Sequence, residues 1–203
     1  YQSVLDGRPL VYTFSLSYQG AFPAARISEF LTAAKAAGCR PYMVYMGWHP
    51  AKDYPMVAPW GFDAVSAYAS CSAVPTFAEL TRQTETQYWA NAAQAQAPYV
   101  PLVTSGWEMQ PRKDHPVSWE KGHSYHQQAT FPALPQPDEL ADHLRRALAF
   151  TRQQAAICEA QTVICYAWNE YDEGGWLAPT WQADGAPNRS RLAAVEKVLR
   201  PTA

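Results

Sequence analysis

Residues 162–176 read TVICYAWNEYDEGGW. The stretch opens as an apolar, β-branched run, Val163-Ile164-Cys165-Tyr166-Ala167. It then turns abruptly into Trp168-Asn169-Glu170-Tyr171-Asp172-Glu173-Gly174-Gly175. An apolar run without alternation predicts a strand buried on both faces, as in a parallel sheet. Groups at the C-terminal ends of parallel strands face a crevice, and α/β proteins place their chemistry there. The two glycines allow the tight backbone turn that such an end needs. Glu170 and Glu173 are therefore the leading candidates for catalytic residues.

The preceding chain repeats the strand-then-polar pattern. Residues 8–15 (RPLVYTFS) predict a first strand, and the Asp6-Gly7 turn before it predicts a short hairpin arm over residues 1–5. Residues 24–37 carry Ile27, Phe30, Leu31 and Ala34 at helical spacing, with Gly38 as a stop. Residues 41–48 (PYMVYMGW) and 62–70 (FDAVSAYAS) predict the next two strands, ending near Trp48-His49 and Tyr68. Between them, residues 51–61 hold Pro55, Pro59 and Trp60 and read as an irregular loop. Thr76-Phe77-Ala78-Glu79 is a capping box opening a helix to about residue 96. Residues 99–104 predict a fourth strand, followed by Ser105-Gly106-Trp107-Glu108-Met109-Gln110-Pro111-Arg112.

Residues 113–136 read as a long loop, expected to form an ordered wall of the site. Residues 137–159 give the strongest helical pattern, with Asp138 and Glu139 in the first turn and Leu140, Leu144 and Leu148 four apart. After the quoted strand, residues 178–187 read as loop. Asn188 is expected to cap a last helix bearing Leu192, Val195, Val198 and Leu199. Alternation of this kind predicts an α/β fold of parallel β/α units in a single domain over residues 1–203. About five strands fit either an open doubly wound sheet or the later part of a (β/α)8 TIM-like barrel; a complete barrel needs more residues.

Composition narrows the partners. The net charge of -2, with 17% charged residues and no basic stripe, speaks against nucleic acid and anionic membrane. No segment has the length of a membrane span. Eight Trp and twelve Tyr exceed what a core of this size needs. Sugar-binding clefts use such amphipathic rings, whose faces meet the apolar sides of sugars. Trp48, Trp107 and Trp168 each read either as sugar-stacking rings or as core, and Tyr68 as a pocket hydroxyl or a packing residue. The four cysteines follow no metal spacing and read as buried free thiols, a Cys158–Cys165 disulfide being the alternative. His115, His123 and His126 lack a third ligand at a telling spacing, so no metal site is expected. There is no G-x-S-x-G elbow and no phosphate-binding glycine loop, so neither a Ser-His-Asp hydrolase nor a nucleotide cofactor is expected; the cofactor expectation is none.

Ala167-Trp168-Asn169-Glu170-Tyr171-Asp172-Glu173-Gly174 resembles the AWNEW-x-EG signature of the glycoside hydrolase family 99-like proteins, also labelled WbsX-type in polysaccharide gene clusters. Gly106-Trp107-Glu108-Met109-Gln110-Pro111-Arg112 resembles that family's GWD-x-x-PR segment, and Leu177-Ala178-Pro179 its later L-x-P segment. Glu108 stands where the family commonly has Asp, and Tyr171-Asp172 where Trp with His or Ala is usual. The resemblance covers residues 99–199 clearly and residues 8–70 only in strand rhythm.

It implies a (β/α)8 barrel with its site at the C-terminal strand ends, of which this chain, opening on Tyr1, would be an incomplete later part. It implies an oligosaccharide or polysaccharide substrate and an extracellular or periplasmic location. An open sheet edge would then be covered by a missing N-terminal half or by self-association.

Glycoside cleavage needs a protonated acid at the leaving oxygen and a carboxylate assisting attack. The resemblance makes Glu173 the general acid/base, and Glu170 the group that takes the substrate's 2-hydroxyl proton so that configuration is retained. Spacing alone equally suits an ordinary nucleophile and acid. Substrate-binding candidates are Asn169, Trp168, Tyr171, Trp107, Glu108, Arg112, Trp48, His49, Tyr68 and Trp176, with a Glu108–Arg112 ion pair expected to shape the pocket. The rival functions are a non-catalytic glycan-binding domain and a polysaccharide-assembly glycosyltransferase.

Overall fold

The computed structural model describes residues 2–14, 24–120 and 127–200. The elements in chain order are β1 (Ser3–Val4), β2 (Arg8–Phe14), α1 (Ala24–Ala36), β3 (Tyr42–Gly47), α2 (Pro50–Val57), β4 (Ala64–Ala67) and α3 (Phe77–Thr84). They continue with α4 (Ala90–Gln94), β5 (Leu102–Thr104), α5 (Gln110–Asp114), α6 (Pro137–Gln153) and β6 (Ile164–Tyr166). Last come β7 (Asn169–Glu170), β8 (Gly175–Trp176), β9 (Thr180–Trp181), β10 (Pro187–Asn188) and α7 (Ser190–Leu199). The chain packs as two compact units. The first is Tyr1–Tyr68, Glu85–Leu102 and Leu148–Ile164; the second is Ala69–Thr84, Val103–Ala147 and Cys165–Ala203. The architecture is mixed α/β with parallel strands, and no helix among the described residues is long and apolar enough to cross a membrane.

The first unit is built on the sheet β1-β2-β3-β4. β1 folds back antiparallel on β2 through the Asp6-Gly7 turn, Gly7 taking a φ of 79°, so the expected hairpin arm is present. β2, β3 and β4 are parallel, with Leu10 opposite Tyr42 and Val44 opposite Ala64. A parallel bridge from Val65 to Tyr99 brings the next strand segment alongside β4. Alternate residues of β3 face opposite sides, yet Tyr42, Met43, Val44 and Tyr45 are all buried, so the sheet is covered on both faces. One side of that core gathers Val4, Tyr42, Val44, Ala64, Val100 and Ala160, with Leu10, Tyr12 and Ile164 packed against them. At its base Arg8 holds Asp63 through two bonds of 2.8 and 2.7 Å, and Asp63 also accepts the Met43 N–H.

Several sequence expectations change. Residues 178–187 are not all loop, since β9 and β10 pair there antiparallel, and the cap position of α7 is Arg189 rather than Asn188. Residues 51–61 are not irregular loop but hold α2 and a 3-10 turn, Ala58–Trp60. Pro50 sits in the first helical turn, where its missing N–H is no loss. Asp53 Oδ2 accepts the N–H groups of Trp48 and His49 at 2.9 and 2.7 Å, and Val57 is fully buried, which together outweigh the bond forgone at Pro55. The helix expected over 137–159 ends at Gln153. Ile157 and Cys158 are buried there, and the Ile157 carbonyl accepts the Tyr99 N–H at 2.7 Å, so the strand claims that backbone from the helix. The strand around Ile164 is buried only at Tyr166. Ile164 and Cys165 are half-buried, because β6 has one strand neighbour, β5, among the described residues.

The capping box opens α3 as expected: Glu79 N–H donates to Thr76 Oγ1 at 3.2 Å, and the Thr hydroxyl donates to Glu79 Oε2 at 2.8 Å. A π turn over Glu85–Trp89 separates α3 from α4, and two consecutive aromatics, Tyr88 and Trp89, are buried on it.

All four cysteines are free thiols. Cys158 is 1% exposed, and burial pushes its thiol up from 9.0 to about 12. Between those values the folded state holds the thiol proton that the unfolded state has lost, so stability falls as pH rises. Chemical denaturation at successive pH values above 9.0 is expected to show this decline. Cys158→Ala should remove up to about 1.4 kcal/mol per pH unit of it. An unchanged slope in the variant would exclude Cys158 as the source.

Candidate active site

In the second unit, Ser105 N–H donates to the Tyr166 carbonyl at 2.7 Å, and the Ser105 hydroxyl donates to the same oxygen at 2.6 Å. The peptide bond Tyr166–Ala167 is cis. Beyond it, β7 and β8 pair antiparallel, with Asn169 opposite Trp176 and Glu170 opposite Gly175. Tyr171, Asp172, Glu173 and Gly174 make the turn of this hairpin. Both glutamates of the quoted stretch thus belong to one tight, locally hydrogen-bonded element. The Trp168 carbonyl closes its base by accepting the N–H groups of Leu177 and Ala178 at 3.0 and 2.8 Å.

The two carboxylates differ in surroundings. Glu173 is 8% exposed. Its Oε1 pairs with Arg112 Nη1, and its Oε2 accepts the Tyr166 hydroxyl. Arg112 is equally buried and uses its other edge on Asp172, with Nε and Nη2 at 3.0 and 2.9 Å from Oδ2. One guanidinium therefore spans two carboxylates of the turn, a geometry suited to its planar fork. Glu170 is half-buried, with no side-chain hydrogen bond or ion pair among the described residues. The expected Glu108–Arg112 pair is replaced: Glu108 Oε1 accepts the N–H of Gln110 at 3.1 Å at the start of α5, and Arg112 turns to Asp172 and Glu173.

The close approach of the two loops is set by glycines. A Cβ on Gly174, whose φ is 72°, would lie 2.3 Å from the Glu108 backbone nitrogen. One on Gly106 would lie 2.0 Å from the Gly174 carbonyl oxygen, and one on Gly175 would lie 2.4 Å from the Tyr166 ring. Backbone meets backbone here, so no side chain fits between the loops.

The aromatic candidates separate by exposure. Trp107 is buried and tilted against Tyr166, ring centroids 5.7 Å apart. It is a core residue of the site, and its indole N–H has no partner among the described residues. Trp168 (57% exposed) and Tyr171 (44%) are open surface. Tyr171 lies 5.8 Å from Trp176, and Arg191 stacks on the Trp176 ring at 3.9 Å. Asn169 is exposed on β7.

Trp48, His49 and Tyr68 belong to the first unit. Trp48 and His49 are exposed at the end of β3, and Tyr68 follows β4. Phe14, at the end of β2, stacks on Tyr68 at 4.2 Å and meets Trp48 edge-on at 6.4 Å. The sequence pattern passed over Phe14 as an ordinary strand residue. Its place as the last apolar residue of a parallel strand is the signal that marks it. Of the histidines, His115 is exposed just after α5, while His123 and His126 lie outside the described residues.

Compared by sequence, the chain matches no family model and no curated protein. Compared by structure, it is similar to the GH99 endo-alpha-mannosidase from Bacteroides thetaiotaomicron, at 14% identity and a TM-score of 0.49. The match covers 98% of this chain and 55% of that one, so the chain spans about half the length of that enzyme.

Proposed function

We propose that this chain is a glycoside hydrolase-like protein that acts on an α-linked glycan through Glu170 and Glu173, on the later part of a (β/α)8 barrel. The observation that carries the reading is the hairpin itself. It holds one carboxylate anchored and buried, the other half-buried and uncommitted, three residues apart and flanked by exposed rings. Glu173 is assigned as acid/base, and its protonation would leave the buried Arg112 still paired with Asp172. No buried cation is then stranded during the cycle. Glu170 takes the proton of the 2-hydroxyl and the sugar oxygen attacks its own anomeric carbon, while the glycosidic bond breaks and Glu173 gives its proton to the departing oxygen; water then opens the resulting 1,2-epoxide, Glu173 taking the water's proton and Glu170 returning one to the 2-oxygen, so configuration is retained. Trp168, Tyr171 and Asn169 supply the exposed contact surface for the glycan.

One observation favours a second reading, a non-catalytic glycan-binding domain: both oxygens of Glu173 are already engaged, by Arg112 and by Tyr166. Calorimetry and an NMR hydrolysis assay on the same α-linked oligosaccharides separate the two. Turnover with retained anomeric configuration supports the hydrolase, and binding without turnover supports the binding domain. In either case Trp168→Ala is expected to weaken glycan affinity about 2- to 10-fold, since stacking on an aromatic ring is worth ~0.5–1.5 kcal/mol. An exposed ring contributes little to folding, so its Tm should stay unchanged. An unaltered affinity would take Trp168 out of the site.

A further inference from the structure

The second unit contains a cavity of about 250 Å³ lined by Leu134, Pro135, Gln136, Pro137, Trp176, Ala178, Thr180, Asn188, Ser190 and Arg191. Its volume falls just below the roughly 300–1,000 Å³ of pockets for drug-sized ligands, which suits a single sugar unit. The lining is asymmetric in charge. Arg191 is a lining cation, and no Asp or Glu lines the cavity.

Arg191 is also incompletely matched. Its Nη1 donates to the carbonyls of Ser105 (3.3 Å) and Trp176 (3.0 Å), which fixes the side chain. Nε and Nη2 have no protein partner, and no carboxylate pairs with the guanidinium, among the described residues. Burial lowers Arg191 only to about 10, so it keeps its charge at neutral pH. A half-buried cation without a counter-ion is costly in a folded chain and is relieved by an anionic ligand. The first turn of α7 begins at the same wall, and its cap residue, Arg189, makes no side-chain cap bond. The positive end of a helix thus adds to the field of Arg191.

We propose that this cavity is a subsite for a uronic acid unit of the glycan, with the carboxylate taken by Arg191. The open Nε–Nη2 edge matches a planar carboxylate in bidentate fashion. Leu134, Pro135, Pro137 and Ala178 give the sugar ring an apolar wall, and Asn188, Thr180, Ser190 and Gln136 give its hydroxyls polar neighbours. This rests on the glycan-handling reading above and adds the charge class of the substrate.

The test follows the Trp176 indole N–H resonance of the labelled chain during titration with D-glucuronate, D-glucose and glucose 6-sulfate. Glucuronate is expected to saturate the shift at concentrations about tenfold or more below glucose, given the strength of bonds to a charged group. Arg191→Gln should abolish that preference. Because Arg191 also holds two carbonyls, Asn188→Asp is the second variant. Asp keeps the oxygen that accepts the Ser190 N–H at 3.0 Å, exchanges the amide NH2 for a second oxygen and places a negative charge at the cavity wall. It should weaken glucuronate several-fold with a Tm no lower than that of the unaltered chain, since the new charge meets Arg191 and the helix N-terminus.

Equal response to glucose and glucuronate, tighter binding of the sulfate, or indifference of glucuronate to Asn188→Asp would overturn the proposal. The titration reads no turnover. A chain that fails every hydrolysis assay yet prefers glucuronate therefore loses the catalytic reading and keeps this one.

Discussion

Glu173→Gln is expected to lower turnover of α-linked glycosides by about 10²–10⁴-fold, the usual contribution of a positioned acid/base. The loss should be largest for substrates with poor leaving groups, which need the proton most. The same change carries a second consequence, because Glu173 is also a structural partner. Gln keeps an oxygen for the Tyr166 hydroxyl or for Arg112 but removes the charge that Arg112 meets. The two side chains are 10% and 11% exposed, so solvent screens their pairing little. Breaking a buried pair typically costs about 3–5 kcal/mol. Here the retained Arg112–Asp172 bond offsets part of that, so a loss of about 1–3 kcal/mol is expected. Steady-state kinetics and thermal denaturation on the same preparation read the two effects apart. A folded Glu173→Gln variant with undiminished turnover would defeat the assignment of Glu173.

Gly174→Ala is expected to be strongly damaging to the second unit. The added Cβ would overlap the Glu108 N, Cβ and Cα at 2.3, 2.5 and 2.6 Å, and the neighbours that must yield are mainly backbone. A positive φ in a residue with a Cβ adds about 1–2 kcal/mol, and overpacking about 1–3 kcal/mol more. A total of about 2–5 kcal/mol should lower Tm by many degrees and disorder the hairpin that carries both glutamates. Gly185→Ala is the control. Its φ of 81° is similar but nothing lies within 4 Å, so only the conformational cost applies. If both variants melt alike, close approach of the two loops is not what Gly174 provides.

Much of this was legible in the residues. The β-branched runs and their polar ends located β2, β3, β4 and β6, and the Asp6-Gly7 turn located the arm of β1, because these signals are local. The glutamate-bearing turn was legible for the same reason: strand, carboxylates and glycines occur within a dozen residues. What escaped depends on distant partners. Whether Arg112 would choose Glu108, four residues away, or Asp172 and Glu173, sixty away, is decided by how the loops pack. The helix over Pro50–Val57 was hidden by Pro55, whose local penalty is overridden by burial of Val57 and by the Asp53 cap. The end of α6 was set by Tyr99, which takes the Ile157 carbonyl. Phe14 and Arg191 gained their roles only from the aromatic and carbonyl groups that folding brought to them.

The contact between Gly106 and Gly174 has a further bearing, on divergence. The two loops approach each other main chain to main chain, with no room for a Cβ between them, so these glycines are constrained by that close approach whatever the neighbouring side chains do. Glu170 and Glu173 answer, on the proposed reading, to a different constraint, the chemistry. Among distant relatives the two pairs are therefore free to part company. A chain that keeps both glycines but exchanges the glutamates would keep the close approach of the two loops while losing the proposed catalytic groups. The glycines are the marks by which such relatives can be found, and the glutamates are, on the proposed reading, the marks by which active ones can be told from the rest.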